Sequence, residues 1–240
     1  MVKKILIGLP TTGYGHFLHM SSIMNLNLQS SEKIEVSFRF ISNCLIYDAR
    51  ESLCKFALEN GFDYIFMVDS DMVLPTDTII KYLDTFEKFN CDMVSGLIFK
   101  RTYPFQPCIY LKARIMENKD EYGRMGYKPY LEGIIKWNEG SIIPIEACGM
   151  AACMIKTDIL NKIKKPWYYP FPNMGEDVTF CVKARQEANA KIVCDTRIDI
   201  GHLAVNPITS QYQKEALAAW ERDPKNKGKL LYMDEEEAKT

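Results

Sequence analysis

The chain has 240 residues, of which 47% are hydrophobic and 25% charged, a balance that excludes wholesale disorder. Lys plus Arg is 30 and Asp plus Glu is 31, so a net charge of −1 excludes a protein that holds nucleic acid mainly by charge, though not a local basic groove. No run approaches the roughly 18 apolar residues of a membrane span, MVKKILIGLP lacks the form of a secretory signal, and the 8 cysteines include no CxxC pair, the usage of reduced thiols in a cytoplasmic protein.

One domain is the expectation at roughly 150 residues per domain. In chain order, Lys4 to Gly8 is a short apolar run ended by Pro10 and reads as a buried first strand. A helical stretch carrying Phe17, Met20, Ile23 and Met24 follows. Ile34, Val36, Phe38 and Phe40 alternate with polar residues, as in a half-exposed strand. Asp48 to Asn60 reads as a helix with Leu53, Phe56 and Ala57 on one face and Gly61 as its stop. Tyr64 to Val68 is a buried strand. Pro75 opens a helix with Ile79, Ile80, Leu83 and Phe86 on one face, and Cys91 to Phe99 returns as a strand.

The second half is less regular. Residues 101–140, rich in Tyr, Pro and Gly, read as a hairpin with loops, and Ile142 to Ile155 as an apolar stretch broken by Gly149. Lys164 to Pro172 is a Pro-aromatic loop, Glu176 to Ala190 a helix, and Lys191 to Cys194 a strand. Residues 210–222 form a last helix with Tyr212, Leu217 and Trp220, and 225–240 a solvated, flexible tail. Strands alternating with helices imply an α/β fold with a mostly parallel sheet covered on both faces, whose ligands bind at the carboxyl ends of the strands.

Three groups of residues can carry chemistry there. Asp69-Ser70-Asp71 follows directly on a buried strand, so two carboxylates project toward one point and repel unless a cation sits between them. Hard oxygen ligands suit Mg²⁺ or Mn²⁺; the alternative is a solvated turn in which Asp71 helps to cap the next helix. His202, after another strand, is either a structural hydrogen-bonder or a third ligand that tilts the choice toward Mn²⁺. Glu176 and Asp177 open a helix, where they either complement its dipole or serve as a general base with a partner for a substrate hydroxyl.

The stretch LIYDARESLCKFALENGFDYIFMVDSDM (45–72) resembles the core of GT-A glycosyltransferases of the family 2 type, in which an Ala-Arg motif opens a helix and the next strand ends in a DxD metal motif. CGMAACMIKTDIL (148–160), PWYYPFPNMGEDVTFCVKARQEANAKIVCDT (166–196) and IGHLA (200–204) resemble later motifs of that family in the same order. The resemblance implies a Rossmann-like GT-A domain over 1–206. Its residues 1–100 form a nucleotide-sugar half and 101–206 an acceptor half, followed by a helix at 207–224. It further implies transfer of a sugar from a nucleoside-diphosphate donor to an acceptor hydroxyl with Mn²⁺ or Mg²⁺. Asp69, Asp71 and His202 match the metal and diphosphate positions, with Ser70 between the aspartates. Asp177 matches the base of inverting members and Glu176 an acceptor contact. Pro10 and Thr11 lie where the first loop touches the nucleoside, and Asp48 and Arg50 near the donor.

The chain departs from that family after its second strand. An acidic, Ser-rich motif that grips uracil is replaced by Ile41-Ser42-Asn43-Cys44, where Asn43 offers a hydrogen bond instead. Lys100 and Arg101, at a strand end on the same side, are placed to neutralise a departing diphosphate or are a solvated strand end. The aromatic loop 167–171 is either an acceptor platform or packed core. A metal-dependent nucleotidyltransferase and an inactive sugar-binding domain are the competing functions. The acceptor (glycan, small metabolite, protein or modified DNA base), the stereochemical course and the oligomeric state stay open.

Overall fold

Apolar runs of four to nine residues and amphipathic stretches alternate through the first hundred residues, and the computed structural model folds them as strands and helices in turn. It describes residues 2–27, 30–119, 125–204 and 208–226. In chain order these are β1 (Lys3–Thr11), α1 (Phe17–Asn27), β2 (Ile34–Ser42), α2 (Ile46–Glu59), β3 (Tyr64–Val68), β4 (Met72–Val73), α3 (Thr78–Lys88) and β5 (Met93–Leu97). Then come β6 (Ile109–Lys119), β7 (Met125–Gly133), β8 (Ile142–Ile145), β9 (Ala147–Cys148) and β10 (Ala152–Lys156), followed by a 3₁₀ turn (Thr157–Lys162). The chain continues through α4 (Glu176–Ala188), β11 (Ile192–Asp199), β12 (Gly201–His202) and α5 (Ser210–Arg222), with a last 3₁₀ turn at Pro224–Asn226.

The central sheet has 7 strands in the order β2-β1-β3-β10-β5-β11-β8. β1 pairs in parallel with β2 and β3, and β11 in parallel with β5. β10 lies antiparallel between β3 and β5, and β8 antiparallel at the far edge. The sheet is therefore mixed, with most strands running one way. Side chains alternate between its faces. Leu6 packs with Leu53, Cys54 and Ala57 of α2 on one face, where Val178 and Cys181 of α4 also lie. Ile5, Ile7 and Leu9 pack with Ile23 and Leu26 of α1 on the other, beside Ile79, Tyr82 and Phe86 of α3. Successive helices thus leave β1 and β2 for opposite faces. The crevice opens where they part, at the carboxyl ends of β1 and β3. Two smaller pieces flank it: the β4–β12 ribbon and the β7-β6-β9 sheet.

Four expectations change. β1 continues through Pro10 to Thr11, because beyond Gly8 it pairs only with β2 and the proline's missing N–H falls at a half-paired end. α1 buries His19, Ser22, Ile23 and Leu26, while Phe17 (80% exposed) and Met24 (69%) face solvent. Its inward face is partly polar, which hydrophobic spacing does not reveal. Pro75 belongs to a turn, its carbonyl accepting from the Thr78 N–H and hydroxyl, so α3 starts at Thr78 and Ile80 is exposed. Trp167 and Tyr168 are core residues: the indole N–H donates to the carbonyls of Leu160 and Ile163, and Tyr168 stacks on Phe180 at 4.4 Å. That leaves Tyr169, Pro170 and Phe171 as the outer part of the loop.

Candidate active site at the carboxyl ends of β1 and β3

β3 is fully buried from Ile65 to Val68, and the Asp69 N–H still donates to the Ala151 carbonyl at 2.8 Å, so Asp69 leaves the sheet at a fixed height. The chain then turns, and β4 pairs with β12, setting His202 opposite Met72. The Leu203 N–H donates to the Asp71 carbonyl at 2.8 Å. From beneath, buried His19 places Nδ1 2.7 Å from the Met72 carbonyl. His19 is a support that sequence reasoning missed; its only signal is an imidazole within an otherwise uncharged helix.

This ribbon brings His202 Nε2 to 3.2 Å from Asp71 Oδ2, while His202 Nδ1 lies 2.6 Å from the Phe99 carbonyl. A carbonyl only accepts, so Nδ1 carries the proton. In the neutral ring Nε2 then holds a lone pair that faces a carboxylate oxygen. Two lone pairs at that distance need a proton or a cation between them. Arg101, 56% exposed, adds a guanidinium 3.5 Å from the same Asp71 oxygen. Burial works to raise the Asp71 pKa, but His202 and Arg101 outweigh it and hold the carboxyl below its ordinary value.

Asp69 has a different partner. Arg50 projects from α2 into the interior, its side chain 3% exposed, and its Nη2 lies 2.8 and 3.0 Å from the two Asp69 oxygens. Its Nη1 bonds Glu176 Oε1 at the start of α4. Burial opposes the guanidinium's charge, yet Asp69, Glu176 and Asp177 together raise its pKa. Burial likewise raises the Glu176 and Asp177 carboxyls, against the pull of Arg50. Asp177 has no bond to Arg50; its Oδ1 accepts from the N–H of Val178 at 2.7 Å. Gly175 leaves it room, whereas Gly149 is in ordinary contact range. A Cβ on Gly175 would stand 2.4 Å from Oδ1, and one on Gly149 3.6 Å from Oδ2.

In front of these groups the crevice has two lobes that share Thr11 and Ser70. One, of about 360 Å³, is lined by Pro10, Ile41, Cys44, Leu45, Asp69 and Asp71. The other, of about 370 Å³, is lined by Gly13, Tyr14, His19, Met20 and Phe40 on the α1 side. Asn43 is exposed at the turn between β2 and α2 with φ +60°. Asp48 is exposed in the first turn of α2, where Leu45, Ile46 and Ala49 line the lobe. Lys100 turns toward Gln106, 3.3 Å from its side-chain oxygen, and lies over the Tyr110 ring. Glu51, one residue after Arg50, accepts from the backbone N–H groups of Trp167 and Tyr168 at 2.8 and 3.0 Å, tying the aromatic loop to α2. Among the described residues no three His, Cys, Asp or Glu side chains converge as a complete metal site. The Asp71–His202 pair is a carboxylate and an imidazole of the donor types that divalent cations take, two groups and not a complete set.

The mixed sheet, the crevice at its parallel half and the acid-bearing helix opposite define the GT-A glycosyltransferase fold. No family model matches the chain, and no curated protein matches it. Solved structures do. A197 from STIV is similar over 85% of this chain and 86% of its own, with TM-score 0.58 and 18% identity. GalNAc-T7, solved with UDP, GalNAc and Mn²⁺, is similar over 99% of this chain at TM-score 0.52 and 11% identity. The chain spans 53% of GalNAc-T7, about half its length. Identities this low carry the fold alone. No helix among the described residues is long and apolar enough to cross a membrane.

Proposed function

We propose that the chain is a metal-dependent glycosyltransferase that takes a nucleoside-diphosphate sugar as donor and an acceptor hydroxyl as its second substrate. The observation that carries this reading is the Asp71–His202 pair, whose carboxylate oxygen and imidazole Nε2 meet at 3.2 Å where Asp71 lines the crevice. Asp71 and His202 would hold Mn²⁺ or Mg²⁺. Bound there with the donor's diphosphate, the ion supplies Lewis acidity to the leaving group. The apolar side of the lobe at Pro10, Ile41, Cys44 and Leu45 takes the base through neutral contacts; Asn43, exposed on the same turn, does not line it. Thr11 and Ser70 flank the phosphates, and Arg101 meets their charge.

Of the acids near Arg50, Asp69 and Glu176 are bonded to the guanidinium and Asp177 is not. That supports Asp177 as the base of an inverting transfer. It takes the acceptor's hydroxyl proton as that oxygen bonds to the anomeric carbon, and the nucleoside diphosphate leaves with the electron pair of the broken bond. Glu176, fixed by Arg50, orients the acceptor.

A panel of nucleoside-diphosphate sugars tested for slow Mn²⁺-dependent hydrolysis identifies the donor without a known acceptor. Calorimetry then gives the decisive comparison. Donor affinity is expected to depend on Mn²⁺ and to fall at least about tenfold in Asp71→Ala, a loss of about 1.4 kcal/mol, with melting temperature retained. Equal donor affinity with and without Mn²⁺ overturns the assignment.

A further inference from the structure

Apart from Thr11 and Ser70, the α1-side lobe of the crevice has no part in the proposed transfer. The chain carries no Asp, Glu, Lys or Arg between Lys4 and Glu32, and this run supplies most of the lobe's lining. Tyr14, Met20 and Phe40 give it an aromatic and thioether wall. Its polar groups come from three elements: Thr11 at the end of β1, Ser70 after β3 and His19 on α1. His19 is 2% exposed, and its Nδ1 is committed to the Met72 carbonyl at 2.7 Å, so Nδ1 carries the proton and Nε2 holds a lone pair. Nε2 has no hydrogen-bond partner among the described residues and, unlike Arg50 Nε, is not sealed from solvent; the lobe is where a donor reaches it. A lone pair in so buried a ring is costly until a donor meets it. Thr11 Oγ1 accepts from the Gly13 N–H at 3.1 Å, which leaves its own hydrogen to donate.

We propose that this lobe binds a neutral sugar ring. A sugar offers a flat C–H face to aromatic side chains and hydroxyls spread around its edge. Polar groups on three separate elements suit that spread, whereas a nucleobase gathers its donors and acceptors along one edge. A ring hydroxyl donates to His19 Nε2, and Thr11 and Ser70 meet its neighbours. No lysine or arginine lines the lobe to offset the desolvation of an anion, so the ring is uncharged. The volume of about 370 Å³ falls within the roughly 300–1,000 Å³ of small-ligand sites, at the end that suits a single ring. Because the two lobes meet at Thr11 and Ser70, a ring here lies beside the occupant of the catalytic lobe. For the transferase this makes the second substrate a glycan with one residue outside the catalytic lobe. That identity of the acceptor rests on the transferase reading; sugar binding by the lobe does not.

Saturation-transfer NMR on the full chain, without metal or donor, tests the binding directly. The probes are glucose, galactose, N-acetylglucosamine and maltose, with sorbitol, uridine and adenosine as comparisons. At least one sugar is expected to receive saturation on its ring C–H protons. His19→Asn keeps a side-chain N–H for the Met72 carbonyl and removes the Nε2 lone pair. It is expected to weaken sugar binding roughly three- to tenfold, the scale of one hydrogen bond, with melting temperature retained. Tyr14→Ser, at a residue 88% exposed, removes part of the wall without touching the core and should weaken binding by a similar factor. No transfer to any sugar overturns the proposal, as does wild-type affinity in Tyr14→Ser together with a folded His19→Asn. Sorbitol binding as well as the sugars overturns the ring, and transfer to uridine or adenosine alone makes the lobe a base pocket. Donor calorimetry with and without Mn²⁺ is read separately. Sugar binding without Mn²⁺-dependent donor affinity fails the transferase and leaves this subsite standing; the reverse result fails the subsite alone.

Discussion

Asp69, Glu176 and Asp177 share one buried guanidinium, and how it is divided decides what each acid can do. Arg50 spends both Nη groups on Asp69 and Glu176, so Asp177 keeps lone pairs free of the guanidinium in a half-buried setting. Burial raises the Asp177 pKa above its ordinary 3.8, so the folded chain binds that proton more tightly than the unfolded chain does. The resulting stability is fully present below the ordinary value and is lost as pH rises through the raised one. Asparagine has the shape of the protonated acid and never ionises. Asp177→Asn is therefore expected to melt above wild type at about pH 7, and the difference should close as pH falls toward the ordinary carboxylate pKa. Over the same range transfer should drop about 100-fold or more, the scale of a lost general base, and the variant should lack the rise of rate with pH seen in wild type. Melting scans and rates across pH on one preparation check both halves. A variant that transfers at wild-type rate would make Asp177 only a helix-start charge and favour a retaining course.

At the scale of elements, the start of α4 sets where Asp177 stands. Gly175 caps the helix at φ −63°, a conformation open to any residue, so conformational freedom does not explain the glycine. Space does, since a Cβ there would collide with Asp177 Oδ1. Gly175→Ala is expected to cost about 1 kcal/mol or less in stability, the scale of a weaker cap. It should cut turnover roughly 10- to 100-fold by pushing the carboxylate off its position. Unchanged turnover in a variant with that small loss of stability would show that the position is not critical. Elements of this kind were legible in the sequence when a continuous pattern carried them. The apolar run Tyr64 to Val68 announced β3 and placed Asp69-Ser70-Asp71 at its end, and Gly61 (φ +66°) marked the stop of α2. Pairing was not legible. No periodicity says that β10 inserts antiparallel between β3 and β5, or that two-residue β12 folds back on β4 to carry His202 to Asp71. Nor does it say that Trp167 and Tyr168 turn inward, because Glu51, more than a hundred residues away, captures their backbone N–H groups.

For the whole molecule, Arg50 ties an early strand to a late helix across the central sheet's crevice. Asp69 ends a strand of the first half and Glu176 begins a helix of the second, and one buried side chain bonds both. The tie is electrostatic and sits in a low-dielectric interior, so removing its cation leaves the nearby acids without a counter-charge. Arg50→Met keeps much of the apolar stem and removes the charge. It is expected to lose about 3–5 kcal/mol of stability at neutral pH, the range found when one partner of a buried pair is removed. The loss should shrink on acidification, because the orphaned carboxyls then take up protons and no longer need the guanidinium. Adding Glu176→Gln to Arg50→Met removes one of the stranded charges, so the double variant should be less destabilised than the sum of the two single changes. Urea unfolding of wild type, both single variants and the double variant, at neutral and acid pH, supplies every side of that cycle. Additive losses, or a penalty for Arg50→Met that does not change with pH, would mean that Arg50 stabilises by packing alone.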